Sequence, residues 1–411
     1  MKVRFFLLAF TIAACPLTAQ QTPLNEQIEK IEAGLTQITG LKFTKPVPSA
    51  TIDKAGLHKF LEERIHDEVK PEELHAQEVS LKMLGFIPAD FDLHKATVDL
   101  LTEQAAAFYD YHKKKLFIIE TGNKEADVSS DAGQMALAHE LSHALADQNF
   151  HLDKYIREGL RSDDGSSARL AVMEGQASWL MSAYTSLQST GTAEIPTGVL
   201  ELMTRTIEAG AEQYPVFAKA PPYLRESLVF PYTQGLLFQN FLYQKQGKEG
   251  FSTPFRRPPD STMQILHPEK YMEHVEAVIP KLPDFPDLKQ TKSLAKGTLG
   301  EFDYDVLLKQ YAGTEVADSL VSHLTGSAYE VREDKHDHKP TLVLAANWDT
   351  PENARKFFEQ YRKVVAKKSK SAKFGPETGD QVTGSDKAGY FRIRLQGACL
   401  DSVEGSRSPL N

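Results

Sequence analysis

The sequence predicts a predominantly helical α+β fold with a small antiparallel sheet, followed by a small C-terminal α+β module. Three observations predict it. Apolar residues at helical spacing dominate the first two thirds of the chain. Alternating, strand-like segments gather in only two places, around 107–120 and 329–395. Between Ile279 and Thr298 the prolines Pro280, Pro283 and Pro286 accumulate and the pattern changes. With 411 residues, 41% of them hydrophobic, the chain can bury a large core and form more than one domain.

In chain order, Lys2 and Arg4 precede an apolar run from Phe5 to Ala14, and Leu17-Thr18-Ala19 offers a small residue before a cut at Gln20. Residues 1–19 are thus read as a signal peptide, and the chain as exported, either periplasmic or secreted. The run is too short for a stable transmembrane anchor. Ile12-Ala13-Ala14-Cys15 also resembles a bacterial lipoprotein box, in which Cys15 would carry a lipid anchor. The first domain then runs over 20–285. Its early part, 22–105, alternates helices with proline breaks: Lys70-Pro71-Glu72 enters a helix, and Gly85-Phe86-Ile87-Pro88 leaves it. Ala107 to Glu120 reads as two strands joined by a polar turn, a hairpin.

A helix is predicted over about 129–150, with Ser129, Ser130 or Asp131 as its cap. It carries His139-Glu140-Leu141-Ser142-His143 in an Ala- and Leu-rich setting. Spacing of four puts both imidazoles on one helical face, where they can share one metal. Glu140 lies beside that metal, placed to take a proton from water. Two histidines and a glutamate buried among Ala and Leu would be costly to desolvate without such a partner.

A second helix is predicted over about 166–187. Its apolar stripe is Leu170, Met173, Ala177, Leu180, Met181 and Tyr184, and Glu174 falls inside it. A carboxylate there is either a ligand or a chain reaching out to solvent. Gly175 costs helix propensity but removes bulk, which lets helices approach.

HExxH followed some thirty residues later by a glutamate on a second helix resembles the gluzincin, or thermolysin-like, class of zinc metallopeptidases. The resemblance covers roughly Ala106 to Tyr184. It implies a zincin-like metallopeptidase domain with one Zn²⁺ per chain, His139, His143 and Glu174 as ligands, and Glu140 as general base. It also implies a peptide or protein substrate whose extended backbone pairs with the strand before the zinc helix. One departure stands out. Where many of these enzymes place an Asp to support a ligand histidine, this chain has Ser178; Asp147, one turn beyond His143, either takes that role or ends the helix in solvent.

Tyr214 to Tyr243 is a proline-interrupted, strongly apolar region read as a core helix behind the site. A breaker-rich loop, Pro254 to Pro259, leads to a short helix capped by Asp260 or Ser261 and ended by Pro268. Zinc peptidases need a donor that stabilises the oxyanion. His267, Tyr271 and Tyr232 are the candidates; for His267 the alternative is a surface helix end.

Beyond the boundary, the module at 298–405 reads as a helix over Tyr304–Leu324, strands at Tyr329–Arg332 and Thr341–Ala346, a helix over Pro351–Lys367 and a strand at Tyr390–Leu395. It is a lid, an accessory binding domain or packing for the first domain. His336 and His338 in its charged loop read as solvated. The only cysteines are Cys15 and Cys399, so removal of the leader leaves no intramolecular disulfide. The net charge of −9 becomes −11 without Lys2 and Arg4, which argues against a nucleic-acid partner. Two other functions fit the same residues: a zinc hydrolase of a cell-envelope amide, and a catalytically silent binding or scaffold protein. Intact Glu140 argues against the second.

Overall fold

The computed structural model describes residues 24–120 and 130–410. Residues 1–19, read above as a signal peptide and including Cys15, lie outside them, as does Ser129. The fold is α+β and mostly helical, with two separate sheets. Among the described residues no helix is long and apolar enough to cross a membrane.

The chain opens with α1 (Leu24–Thr39), then β1 (Ser49–Asp53), α2 (Lys54–Glu68), α3 (Pro71–Leu84) and α4 (Leu93–Gln104). The punctuation in the sequence works as expected. Pro71 sits at the first position of α3, where its missing N–H costs nothing, and Gly85 ends the helix at φ 87°, a conformation that glycine adopts without strain. The hairpin is β2 (Ala107–Asp110) with β3 (Lys115–Glu120), antiparallel in register Phe108 to Phe117. The structure adds a third strand that the sequence reading lacks. β1 pairs parallel with β3, giving the order β1-β3-β2 and leaving β2 at the edge. With five residues, none of them buried, between prolines and a helix, β1 offers no apolar alternation to read.

α5 (Asp131–Phe150) crosses that edge, capped by Ser130, whose hydroxyl accepts from Gly133 N at 3.1 Å. Every residue from Ala136 to Asp147 is buried. After α6 (Leu152–Gly159) comes α7 (Asp163–Thr190), capped by Ser162 and so beginning a few residues ahead of the expected start at 166. Then follow α8 (Thr197–Ala211), α9 (Pro215–Lys219) and α10 (Pro222–Gln246), which runs through Pro231 without a break. α7 and α10 meet backbone to backbone: a Cβ on Gly175 would lie 2.0 Å from the carbonyl carbon of Gly235. Gly175 therefore does admit a neighbouring helix, and that neighbour is α10.

Short helices α11 (Thr253–Arg256), α12 (Thr262–Leu266) and α13 (Pro268–Met272) lead to β4 (Thr291–Gly297). The remainder is α14 (Glu301–Tyr311), α15 (Thr314–Leu320), β5 (Leu324–Asp334), β6 (Pro340–Trp348), α16 (Pro351–Lys368), β7 (Lys373–Thr378), β8 (Gln381–Ser385), β9 (Tyr390–Gln396) and β10 (Cys399–Ser406). Its strands form one antiparallel seven-stranded sheet, ordered β4-β5-β6-β10-β9-β8-β7. The sheet begins at Thr291, ahead of the expected start at 298, because β4 lies among the residues read as linker. The expected helix over Tyr304–Leu324 is broken near Gly313, at φ 102°.

Among the described residues three apolar clusters result, the least of them Phe285, Val343, Val403 and Leu410. Of the other two, the smaller gathers Ile31 and Leu35 of α1, Leu116 and Ile118 of β3, Leu137, Leu141 and Leu145 of α5, Trp179 and Leu180 of α7, and Leu236 of α10. The larger one is continuous from Leu57 and Leu81, through Val172, Phe230 and Phe302, to Leu344, Phe357 and Leu400. The C-terminal module therefore shares its core with the first domain, and of the three roles considered, packing is the one its contacts fulfil.

Candidate metal centre

The site is assembled where α5 passes between β2 and α7. Helical spacing of four brings the rings of His139 and His143 to 4.8 Å, nearly perpendicular. Their Nε2 atoms are 3.1 Å apart. From α7, Glu174 Oε2 lies 3.1 Å from His139 Nε2 and 3.5 Å from His143 Nε2. His139, His143 and Glu174 are each at most 3% exposed, and Glu140 is fully buried. Glu174 thus points inward to the histidines, not out to solvent. Burial alone would raise its carboxyl, but the two imidazoles outweigh burial and hold it down at about 2. His139, Glu140 and His143 present atoms close enough together to hold one metal ion.

Glu140 faces the sheet. In the β2–β3 ladder, Ala106 and Ile119 are joined by a hydrogen bond, so Tyr109, three residues on, turns its N–H away from β3. That N–H donates to Glu140 Oε2 at 2.6 Å. The outer edge of β2 and the carboxylate thus share one hydrogen bond, which holds the acid in place.

Asp147, 2% exposed, takes neither of the two parts considered for it. Its carboxylate accepts from Tyr109 Oη (2.8 Å), Lys114 Nζ (2.7 Å) and Leu152 N (3.1 Å). It ties the hairpin to α5 and starts α6, and these bonds do not run to a ligand imidazole. Ser178 is buried on α7.

The oxyanion-donor candidates separate cleanly. His267, between α12 and α13, has Nε2 at 2.8 Å from Glu301 Oε1, a pair at the start of α14 away from the histidines. Tyr271 is a core residue whose hydroxyl donates to the carbonyl of Arg257 at 2.8 Å, under that residue's guanidinium. Neither is brought to the site. The reason is the fold: α12 and α13 pack on the far parts of α7 and α10, a placement that local sequence does not encode. Tyr232 of α10 is brought to it, its ring stacked on His139 at 5.9 Å. Burial, and then the charges of Glu174 and Glu140, push its phenol well above the usual tyrosine value, so it stays a donor. His336 and His338 join no metal-holding group among the described residues.

The arrangement defines a buried centre with two imidazoles and a carboxylate converging on one point, a second carboxylate beside an edge strand, and a phenol against His139 and Glu174. Comparison with family models, curated proteins and solved structures finds no match to this chain.

Proposed function

We propose that this chain is an exported zinc metallopeptidase, with His139, His143 and Glu174 holding the metal and Glu140 acting as general base. The observation that carries the reading is the triangle of 3.1, 3.1 and 3.5 Å among His139 Nε2, His143 Nε2 and Glu174 Oε2. Ligands about 2.0–2.1 Å from a tetrahedral zinc stand roughly 3.3 Å apart, so the three atoms fit three corners of such a site. Zinc supplies a Lewis acid that brings the pKa of water toward neutrality.

The remaining work falls to side chains. Glu140 is held at the edge of β2 by Tyr109 N–H, where it takes the proton of the attacking water and returns it to the leaving amine. β2 is the edge strand of its sheet, and an extended peptide backbone would pair there with the outward-facing groups that Glu140 does not use. Tyr232, kept protonated, donates to the oxyanion as it forms. A peptide is favoured over an envelope amide by that strand edge, since a small amide has no use for it.

Metal analysis by mass spectrometry on purified mature protein tests the reading, together with hydrolysis of an unstructured protein such as casein. About one zinc per chain is expected, much less in Glu174→Ala, and casein cleavage that Glu140→Gln abolishes without loss of zinc. Absence of zinc after reconstitution, or cleavage undiminished in Glu140→Gln, would overturn it.

A further inference from the structure

Glu140 takes a hydrogen bond from the backbone of β2, a strand of four residues that stands at the edge of its sheet. An edge strand has ladder bonds on one side, so its outward N–H groups are the least fixed by the sheet itself. What holds the Tyr109 N–H against Glu140 must come from side chains.

Two buried acids supply that hold, one on each face of the strand, because successive residues point to opposite faces. Asp110 turns to α2, where its Oδ2 accepts from Arg64 Nη2 at 2.5 Å. Its Oδ1 accepts from His112 N at 2.9 Å and Lys113 N at 3.1 Å, which folds the turn of the hairpin. Tyr109 turns to α5, and its hydroxyl donates to Asp147 at 2.8 Å. Lys114 closes the turn at φ 52° and reaches the same carboxylate, with Nζ 2.8 and 2.7 Å from the two oxygens. Burial, then the charge of Asp147, push the Tyr109 phenol far above the usual tyrosine value, so it stays a donor.

The spacing on α5 gives this contact its meaning. Asp147 comes seven residues after Glu140. Seven residues are close to two helical turns, so both carboxylates lie on one face, about 10 Å apart along the axis. Tyr109 spans them, with its backbone N–H on Glu140 and its hydroxyl on Asp147. We propose that Asp147 is a positioning residue for Glu140: by holding the Tyr109 hydroxyl and Lys114 it fixes the strand whose N–H sets the base in place. The proposal rests on the metallopeptidase reading for what Glu140 does, but the latch itself does not need the metal. Misplacement of a reacting group by about 1 Å can cost 10²-fold in rate. Peptide binding to β2 uses other groups of its edge, so the loss should fall on kcat rather than KM.

Two measurements test it on zinc-loaded wild type, Tyr109→Phe, Asp147→Asn, Lys114→Met and Lys114→Arg. The first is hydrogen exchange resolved to single amides, with the Ile119 N–H, which donates to Ala106 O inside the hairpin, as reference. The second is kcat and KM for an unstructured peptide. In Tyr109→Phe and Asp147→Asn the amide of residue 109 should exchange at least about tenfold faster while that of Ile119 changes less than about threefold. In both, kcat per bound zinc should fall about tenfold or more, with KM within about threefold. Lys114→Met should show a smaller form of both effects, and Lys114→Arg should restore wild-type behaviour. Melting temperature checks folding; should Asp147→Asn not fold, Tyr109→Phe and the half-exposed Lys114 still decide. Faster exchange at both amides together, or kcat per zinc unchanged, would mean a merely structural tie and overturn the proposal. If wild type cleaves no peptide, faster exchange confined to residue 109 would sustain the latch while the peptidase falls. Exchange unchanged in folded variants would sink the latch and leave wild-type hydrolysis to judge the peptidase.

Discussion

Gly175 to alanine is the smallest change that probes how α7 is held in place. The added methyl carbon would sit 2.0 Å from the carbonyl carbon of Gly235 and 2.2 Å from its oxygen. Ordinary contact begins near 3.4 Å, so the two helices must part by more than an ångström. A flexible side chain could rotate away; a helix backbone cannot. Overpacking in a core typically costs about 1–3 kcal/mol, occasionally more, and a backbone-to-backbone clash belongs at the upper end. The helix propensity gained, at most about 1 kcal/mol, offsets only part of it. Net destabilisation of about 2 kcal/mol or more is expected, which for a chain of this length is roughly 2–3 °C or more in Tm.

The same shift reaches the metal centre. Glu174 precedes Gly175 on α7, and Tyr232 lies one turn before Gly235 on α10. Separating the helices draws the phenol away from His139 and moves the carboxylate relative to both imidazoles, so zinc should dissociate more readily as well. Thermal melts by circular dichroism, with zinc affinity by chelator competition, read both effects. Gly198→Ala is the control: it is an exposed glycine in α8 with nothing within 4 Å of the new carbon, and it should melt no lower than wild type. A Gly175→Ala variant melting within about 1 °C of that control would refute the close approach of α7 and α10, and with it the placement of Tyr232.

Two further expectations follow from the buried acids and the phenol. Removing the Tyr232 hydroxyl as Tyr232→Phe should lower kcat by about 10²–10³, the loss typical of one oxyanion donor, with zinc content unchanged; a rate within twofold of wild type would exclude that role, and His267→Ala should leave kcat as it is. Burial, then the neighbouring Asp303, raises Asp164 from 3.8 to about 7, and burial raises Asp303 to about 6. The folded chain keeps protons that the unfolded chain gives up between about pH 4 and 7, so these groups make stability fall as pH rises through that window. Asp164→Asn should therefore gain stability over wild type at pH 8 and none at pH 4, read by denaturant unfolding at both; a gain independent of pH would contradict the shift.

What the sequence made legible is local. A four-residue spacing of histidines is geometry that any helix enforces, so His139, Glu140 and His143 could be placed with no knowledge of the fold. Glu174 was readable because a carboxylate inside an apolar stripe is anomalous, and Gly175 because its cost required a reason. The caps and stops at Pro71, Gly85 and Ser130 follow from single-residue chemistry. The failures share the opposite property. β1 forms because β3 supplies its partner, and Asp147 is used by Tyr109, thirty-eight residues away. His267 and Tyr271 share with Tyr232 the right side-chain chemistry, but only α10, brought in by the Gly175–Gly235 contact, delivers its residue. The signal that favoured Tyr232 lay in Gly235, three residues on, a glycine inside a strongly apolar helix.

The burial of the centre carries its own consequence. Sealing two imidazoles and two carboxylates among Ala and Leu leaves little water to screen them, and the His139 and His143 nitrogens at 3.1 Å have carboxylate or each other as partners. A metal that binds the folded chain and not the unfolded one stabilises it by mass action. Cys399 is the only cysteine among the described residues, and no disulfide within them holds α5 and α7 in register. Stability and activity are therefore joined at one point: the residues that would carry out hydrolysis are the ones whose metal would lock the two central helices together. On this argument a chelator should lower Tm as well as abolish turnover, and Glu174→Ala should melt at the same temperature with or without zinc.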